Sequence, residues 1–172
     1  MKWIIRLLVL FPFCSIFAQS DSSSAVGQSA GPGYTNLFGP RLGITLVTGE
    51  SAVQLKDKFD AGPFITQFGW QWETRFFTVE GGITGVTELV LLVGGMEQGI
   101  FLPSLSMLIG IRSPKGIEFG VGPNLSLAGA GYAVAFGATK KYGELNFPMN
   151  FSIVMSKKSA RFSLLFGFNA AK

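Results

Sequence analysis

The chain has 172 residues, with 14 Lys and Arg against 10 Asp and Glu, no histidine and one cysteine. Without histidine no Ser–His–Asp or Cys–His device can be assembled, and zinc would have to rely on carboxylates alone. The net charge of +4 is spread over basic runs of at most two residues, which argues against nucleic acid as a partner.

The N-terminus predicts a cleaved secretory signal over residues 1–18. Lys2 and Arg6 supply the positive flank, residues 4–17 the apolar segment, and Ala18 the small residue before the cut. A single-pass anchor is the competing reading, but the apolar stretch is short for a spanning helix and a polar segment follows it. Cys14 lies inside the signal, and Phe11-Pro12-Phe13 before it do not fit a lipoprotein site. The mature chain would then carry no thiol, with 12 basic and 10 acidic residues. Residues 19–39 are rich in Ser, Gly and Ala around Gly31-Pro32-Gly33 and predict a flexible leader.

From residue 40 the pattern has period two, the signature of strands. Eight are predicted. The first spans 40–48, with Leu42, Ile44 and Leu46 on one face, and a charged loop over 49–61 follows. The second, 62–77, sets Phe64, Phe68, Trp70, Trp72 and Phe76 against Ile65, Gln67, Gly69, Gln71, Glu73 and Arg75. A Gly-containing turn over 78–85 precedes the least regular strand, 86–93; one kinked strand over 74–93 is the alternative. After a hairpin at 94–99, the fourth strand (100–112) sends Leu105, Met107 and Ile109 one way and Ser104, Ser106 and Arg112 the other. The fifth, 117–127, alternates without a break from Ile117 to Leu127. The sixth (130–138), seventh (145–155) and eighth (161–169) repeat the rhythm, with turns at 139–144 and 156–159. Lys56, Lys58, Lys115, Lys140, Lys141, Lys157 and Lys158 all fall in the predicted connections.

Alternation alone does not separate a membrane barrel from a soluble one, so the second face decides. It is mostly Gly, Ala, Ser, Asn and Gln, which suits a crowded interior better than a hydrated exterior. The strand charges lie on that face, where they can pair; on a lipid face Arg would cost about 2–4 kcal/mol at mid-depth. The fold expected is therefore all-β: a single antiparallel up-and-down transmembrane β-barrel of about eight strands over 40–169, with a tail at 170–172. Hydrophobic residues make up 48% of the chain, yet beyond the signal no apolar run reaches the roughly 20 residues of a membrane helix.

Phe101-Leu102-Pro103-Ser104, Glu118-Phe119-Gly120-Val121-Gly122-Pro123-Asn124, Asn146-Phe147-Pro148-Met149-Asn150 and Ser163-Leu164-Leu165-Phe166-Gly167-Phe168-Asn169 carry a resemblance. They resemble small outer-membrane β-barrel proteins of the Bacteroidetes type, over residues 62–169. The resemblance implies an outer-membrane location and brings no catalytic or binding residues. The chain departs from outer-membrane barrels in general by running past Phe168 with Asn169-Ala170-Ala171-Lys172 instead of ending on an aromatic residue.

The inward set Gln67, Gln71, Glu73, Arg75, Arg112, Glu118, Asn124 and Asn150 is expected to form a hydrogen-bonded plug. Gly120, Gly122, Gly131, Ala133, Ala135 and Gly137 would make room for the long arginines. Glu73 and Glu118 are the one carboxylate pair suited to acid–base work on a sugar, though paired lumen charges are more often structural. Gly129-Ala130-Gly131 lacks the Gly-Lys and the helix of a phosphate loop. The expectation is a non-enzymatic outer-membrane barrel without cofactor or metal, with a mostly filled polar lumen and an envelope structural or interaction role. Its partners would be outer-membrane lipid and the barrel-insertion machinery, with no ligand indicated. Two alternatives are a narrow channel or carrier for a small or apolar molecule and a soluble periplasmic lipid-binding barrel.

Overall fold

A computed structural model describes residues 36–143 and 145–171. The signal segment and residues 19–35 of the leader lie outside the described residues. Eight antiparallel strands follow one another: β1 (Asn36–Val47), β2 (Phe64–Thr78), β3 (Thr84–Gly94), β4 (Leu102–Arg112), β5 (Ile117–Ser126), β6 (Gly129–Tyr142), β7 (Leu145–Met155) and β8 (Ala160–Gly167). Each pairs with its neighbour in sequence, and β1 pairs with both β2 and β8, so the sheet closes into a barrel. A three-residue strand, β9 (Asn169–Ala171), lies between β7 and β1 as β8 does, in unchanged register on both sides. β8 and β9 are therefore one strand interrupted at Phe168. Closure leaves no unpaired edge, a condition for crossing hydrocarbon with strands.

The outward side of the barrel is apolar. Leu42 is 63% exposed, Ile109 58% and Met107 56%, with Phe68, Trp72, Phe136 and Phe151 beside them. Most charged and amide side chains of the strands turn inward instead: Arg41, Glu73 and Asn124 are at most 1% exposed. A soluble barrel reverses this arrangement. Phe38 stacks on Trp70 with ring centroids 6.4 Å apart. Tyr132 and Tyr142, near opposite ends of β6, are among the most exposed large side chains.

The two ends of the barrel differ. The connections 79–83 and 113–116 and the turn that follows β6 lie at the end that holds residues 36 and 171. The longer connections, 48–63 and 95–101, lie at the other end, the unequal distribution typical of outer-membrane barrels.

The segment expected to be a charged loop contains a helix, α1 (Glu50–Phe59). Ser51 and Leu55, one turn apart, are its buried positions, while the charged residues face outward. Leu55 packs with Val47, Ala61 and Ile65 against one mouth of the barrel. Asp60, in the left-handed region at φ 50°, ends the helix by donating its N–H to the Lys56 carbonyl. A single turn of 3-10 helix (Met96–Gln98) sits at the same end, between Gly95 and Gly99, both at positive φ.

Several boundaries also move. β1 begins at Asn36, inside the predicted leader, because Asn36–Gly39 pair with Gln71–Thr74 of the long strand β2. Residues 79–83 separate β2 from β3, so these are two strands, with a bulge between Arg75 and Phe77 that puts both Phe76 and Phe77 on the exposed surface. β6 runs to Tyr142 and takes in Lys140 and Lys141, which pair with Phe147 and Asn146; a lysine at a strand end can lay its stem along the sheet and keep its ammonium in water. Ala170 and Ala171 of the predicted tail pair with Phe38 and Leu37.

Candidate functional site

The lumen is layered along the barrel axis. Near the end that holds the termini, Arg112 is the centre of a charged cluster. It is bidentate to Glu73, with Nη2 donating to Oε2 at 2.5 Å and Nη1 to Oε1, and its Nε donates to Glu118 Oε1 at 2.9 Å. The strand register explains the meeting: Arg112 sits opposite Glu118 across the β4–β5 ladder, and Glu73 projects from β2. The Thr139 hydroxyl donates to Glu118 Oε1, and Arg75 Nε donates to Glu73 Oε1 at 3.4 Å. Glu73 is 1% exposed and Glu118 5%, and both share one guanidinium, so a sugar cannot reach the pair.

Above this layer Arg41 Nε donates to Gln71 Oε1 at 2.9 Å and Nη1 donates to the Pro40 carbonyl. Gly167 makes room for that arginine: a Cβ there would come within 2.6 Å of Arg41 Nη1 and 2.1 Å of the Pro40 oxygen. Asn169 is fully buried at the same end of the strands. Glu88 faces Glu73 across the β2–β3 ladder and lines an inner cavity of about 40 Å³, room for a few waters. The walls of this middle region are largely apolar, with Leu108, Ala133, Ala135 and Val154 in one cluster and Val90, Leu92 and Leu165 in another.

Nearer the α1 end a hydrogen-bonded floor crosses the barrel. The Thr45 hydroxyl donates to Gln67 Oε1 at 2.6 Å and lies 2.6 Å from Ser163 Oγ. Asn124 Nδ2 donates to Ser104 and Ser106 at 2.9 and 2.8 Å, while Asn124 Oδ1 accepts from Arg161 Nη2 at 2.5 Å. Above the floor, under α1, is a cavity of about 180 Å³. Thr45, Gln67, Ser104 and Arg161 line both this cavity and the inner one.

All eight residues of the expected inward set lie on the inner side of the barrel or at its inner rim. Glu73, Arg75, Arg112 and Glu118 meet in the charged cluster. Gln71 joins Arg41, Gln67 joins Thr45, and Asn124 joins Arg161, so these three belong to separate layers. Asn150 is buried beside Gly137, and its Oδ1 has no protein partner among the described residues. The sequence reading missed Arg41, Thr45, Arg161 and Ser163. The same period-two rule would have found them, since each lies one residue from an outward position already recognised. It did not separate the apolar clusters from the polar ones, because β3 is apolar on both faces.

No protein-family model matches the chain, and no curated protein does. Among solved structures the fold is similar to that of Ail, the attachment invasion locus protein of Yersinia pestis, with a TM-score of 0.50 at 9% identity over 80% of this chain and 99% of that one. Ail in complex with the heparin analogue sucrose octasulfate aligns over the same shares at 9% identity, with a TM-score of 0.49. At this identity the likeness is one of fold: this chain folds as a small closed outer-membrane β-barrel.

Proposed function

We propose that the chain is a non-enzymatic barrel of the outer membrane whose lumen is filled by its own side chains, and that it serves the envelope as a structural or interaction element. The observation that carries this reading is Arg112 tied to Glu73 and Glu118 across the interior, with an inner cavity of about 40 Å³ next to this cluster. A conducting pore needs a continuous wet path, and buried ion pairs that are broken by removing one partner cost several kcal/mol. The absence of histidine and the shielding of Glu73 and Glu118 favour a role without catalysis. The apolar exterior supports contact with outer-membrane lipid, and the signal over residues 1–18 supports delivery to the barrel-insertion machinery. The Bacteroidetes-type resemblance fits the same reading.

Planar-bilayer recording on the purified protein tests the filled lumen. The expectation is a baseline without discrete steps; reproducible unitary currents that scale with salt would overturn it and favour the narrow channel.

A further inference from the structure

We propose that the cavity under α1 binds a small amphipathic anion: a carboxylate, or an equivalent oxyanion, on a short apolar body. Its lining divides chemically. Val47, Leu55, Ile65 and Leu102 supply apolar wall, whereas the two charged residues are both cations, Arg161 on the floor and Lys58 at the rim. Among the described residues no acidic one lines it. Arg112, by contrast, holds two carboxylates, Lys158 lies 2.7 Å from Glu50, and Lys56 pairs with Asp60. Arg161 has only the neutral Asn124 amide as its hydrogen-bonded partner among the described residues.

A guanidinium carries five N–H donors, and a planar oxyanion takes two of them at once. The Asn124 contact uses Nη2 and is itself held by Ser104 and Ser106, so the floor fixes Arg161 in place before any ligand arrives. Size sets the body of the ligand. A cavity of roughly 150 Å³ takes benzene, and this one, at about 180 Å³, suits an aromatic or short acyl group with its charged head down. The floor separates the site from the inner cavity, so the ligand would be held at the mouth and not passed through.

The experiment is a titration of benzoate into the detergent-solubilised full chain, followed by methyl NMR, with benzamide as the neutral isostere. Saturable shifts at Leu55, Ile65 and Leu102, at least tenfold tighter for benzoate, are expected. Arg161→Gln should bring benzoate down to the benzamide level, and heat-modifiable gel mobility checks that this variant folds. Should it not fold, Lys58→Gln on the exposed rim gives the second reading, with benzoate binding weakened severalfold. Hexyl phosphate, whose head is that of a lipid, should compete if the natural anion derives from lipid; failure to compete assigns the site to free carboxylates, and either result upholds it. Equal affinity for benzoate and benzamide, unchanged binding in a folded Arg161→Gln, or shifts spread over the outer apolar face would overturn the proposal.

Discussion

Arg112 holds carboxylates from two other strands, and its removal would leave Glu73 and Glu118 buried without that cation. Arg112→Leu should therefore destabilise the barrel by about 3–5 kcal/mol. Replacing all three by neutral residues of similar size should cost much less, because no charge is then stranded. Urea titration followed by gel mobility reads both. A second residue-scale effect lies in the Met96–Gln98 turn. Loss of hydration pushes the Glu97 carboxylate pKa up, but hydrogen bonds from the Thr66 hydroxyl and amide, its own amide and Gln98 together outweigh this and hold it at about 2. A depressed folded-state pKa contributes stability that is present above the unfolded value and lost as pH falls through the folded one. The contribution of Glu97 should thus fade between about pH 4.5 and pH 2. Glu97→Gln should flatten that part of the acid stability curve, and an unchanged curve would refute the assignment. Arg41 illustrates what was readable here: the alternation around Leu42 and Ile44 implies that it points inward, but nothing local says that Gln71 receives it.

At the scale of elements, α1 is the part of the barrel most separable from the rest. It makes its buried contacts through Leu55 against Val47, Ala61 and Ile65, while most of its other side chains are in solvent. Leu55→Ala should remove about 2–5 kcal/mol of packing, and the loss should stay local because the strand ladders do not involve the helix. Limited proteolysis is expected to cut within residues 50–59 while the barrel keeps its folded mobility; simultaneous loss of both would mean the helix is integral to closure. The helix escaped sequence reading because ten residues with four charges show only a narrow apolar stripe. The strands were legible over most of their length, since period two is a property of each strand alone. Their ends were not: β6 continues through Lys140 and Lys141 because β7 offers partners there.

For the whole molecule, the decisive question is which side of the wall meets hydrocarbon. Met107 sits at the middle of β4, outward and 56% exposed. Met107→Arg should cost about 2–4 kcal/mol in a bilayer at mid-depth, whereas on a water-facing wall such a surface change falls within about 0.5 kcal/mol. Refolding into lipid vesicles, compared with the unsubstituted chain, distinguishes the two. The sequence by itself determined the strand rhythm, the apolar outer face, the inward placement of charge and the lack of a histidine base. Each of these depends on residue type and on a local period of two. The tertiary structure decided which inward groups meet. Thr45 reaches Ser163, 118 positions away, only because β1 closes on β8, and Arg112 reaches Glu73, 39 positions away, only through the register of two ladders, β2–β3 and β3–β4. Partner choice depends on closure and register, which couple distant parts of the chain, and the cavity under α1 exists only once both are set.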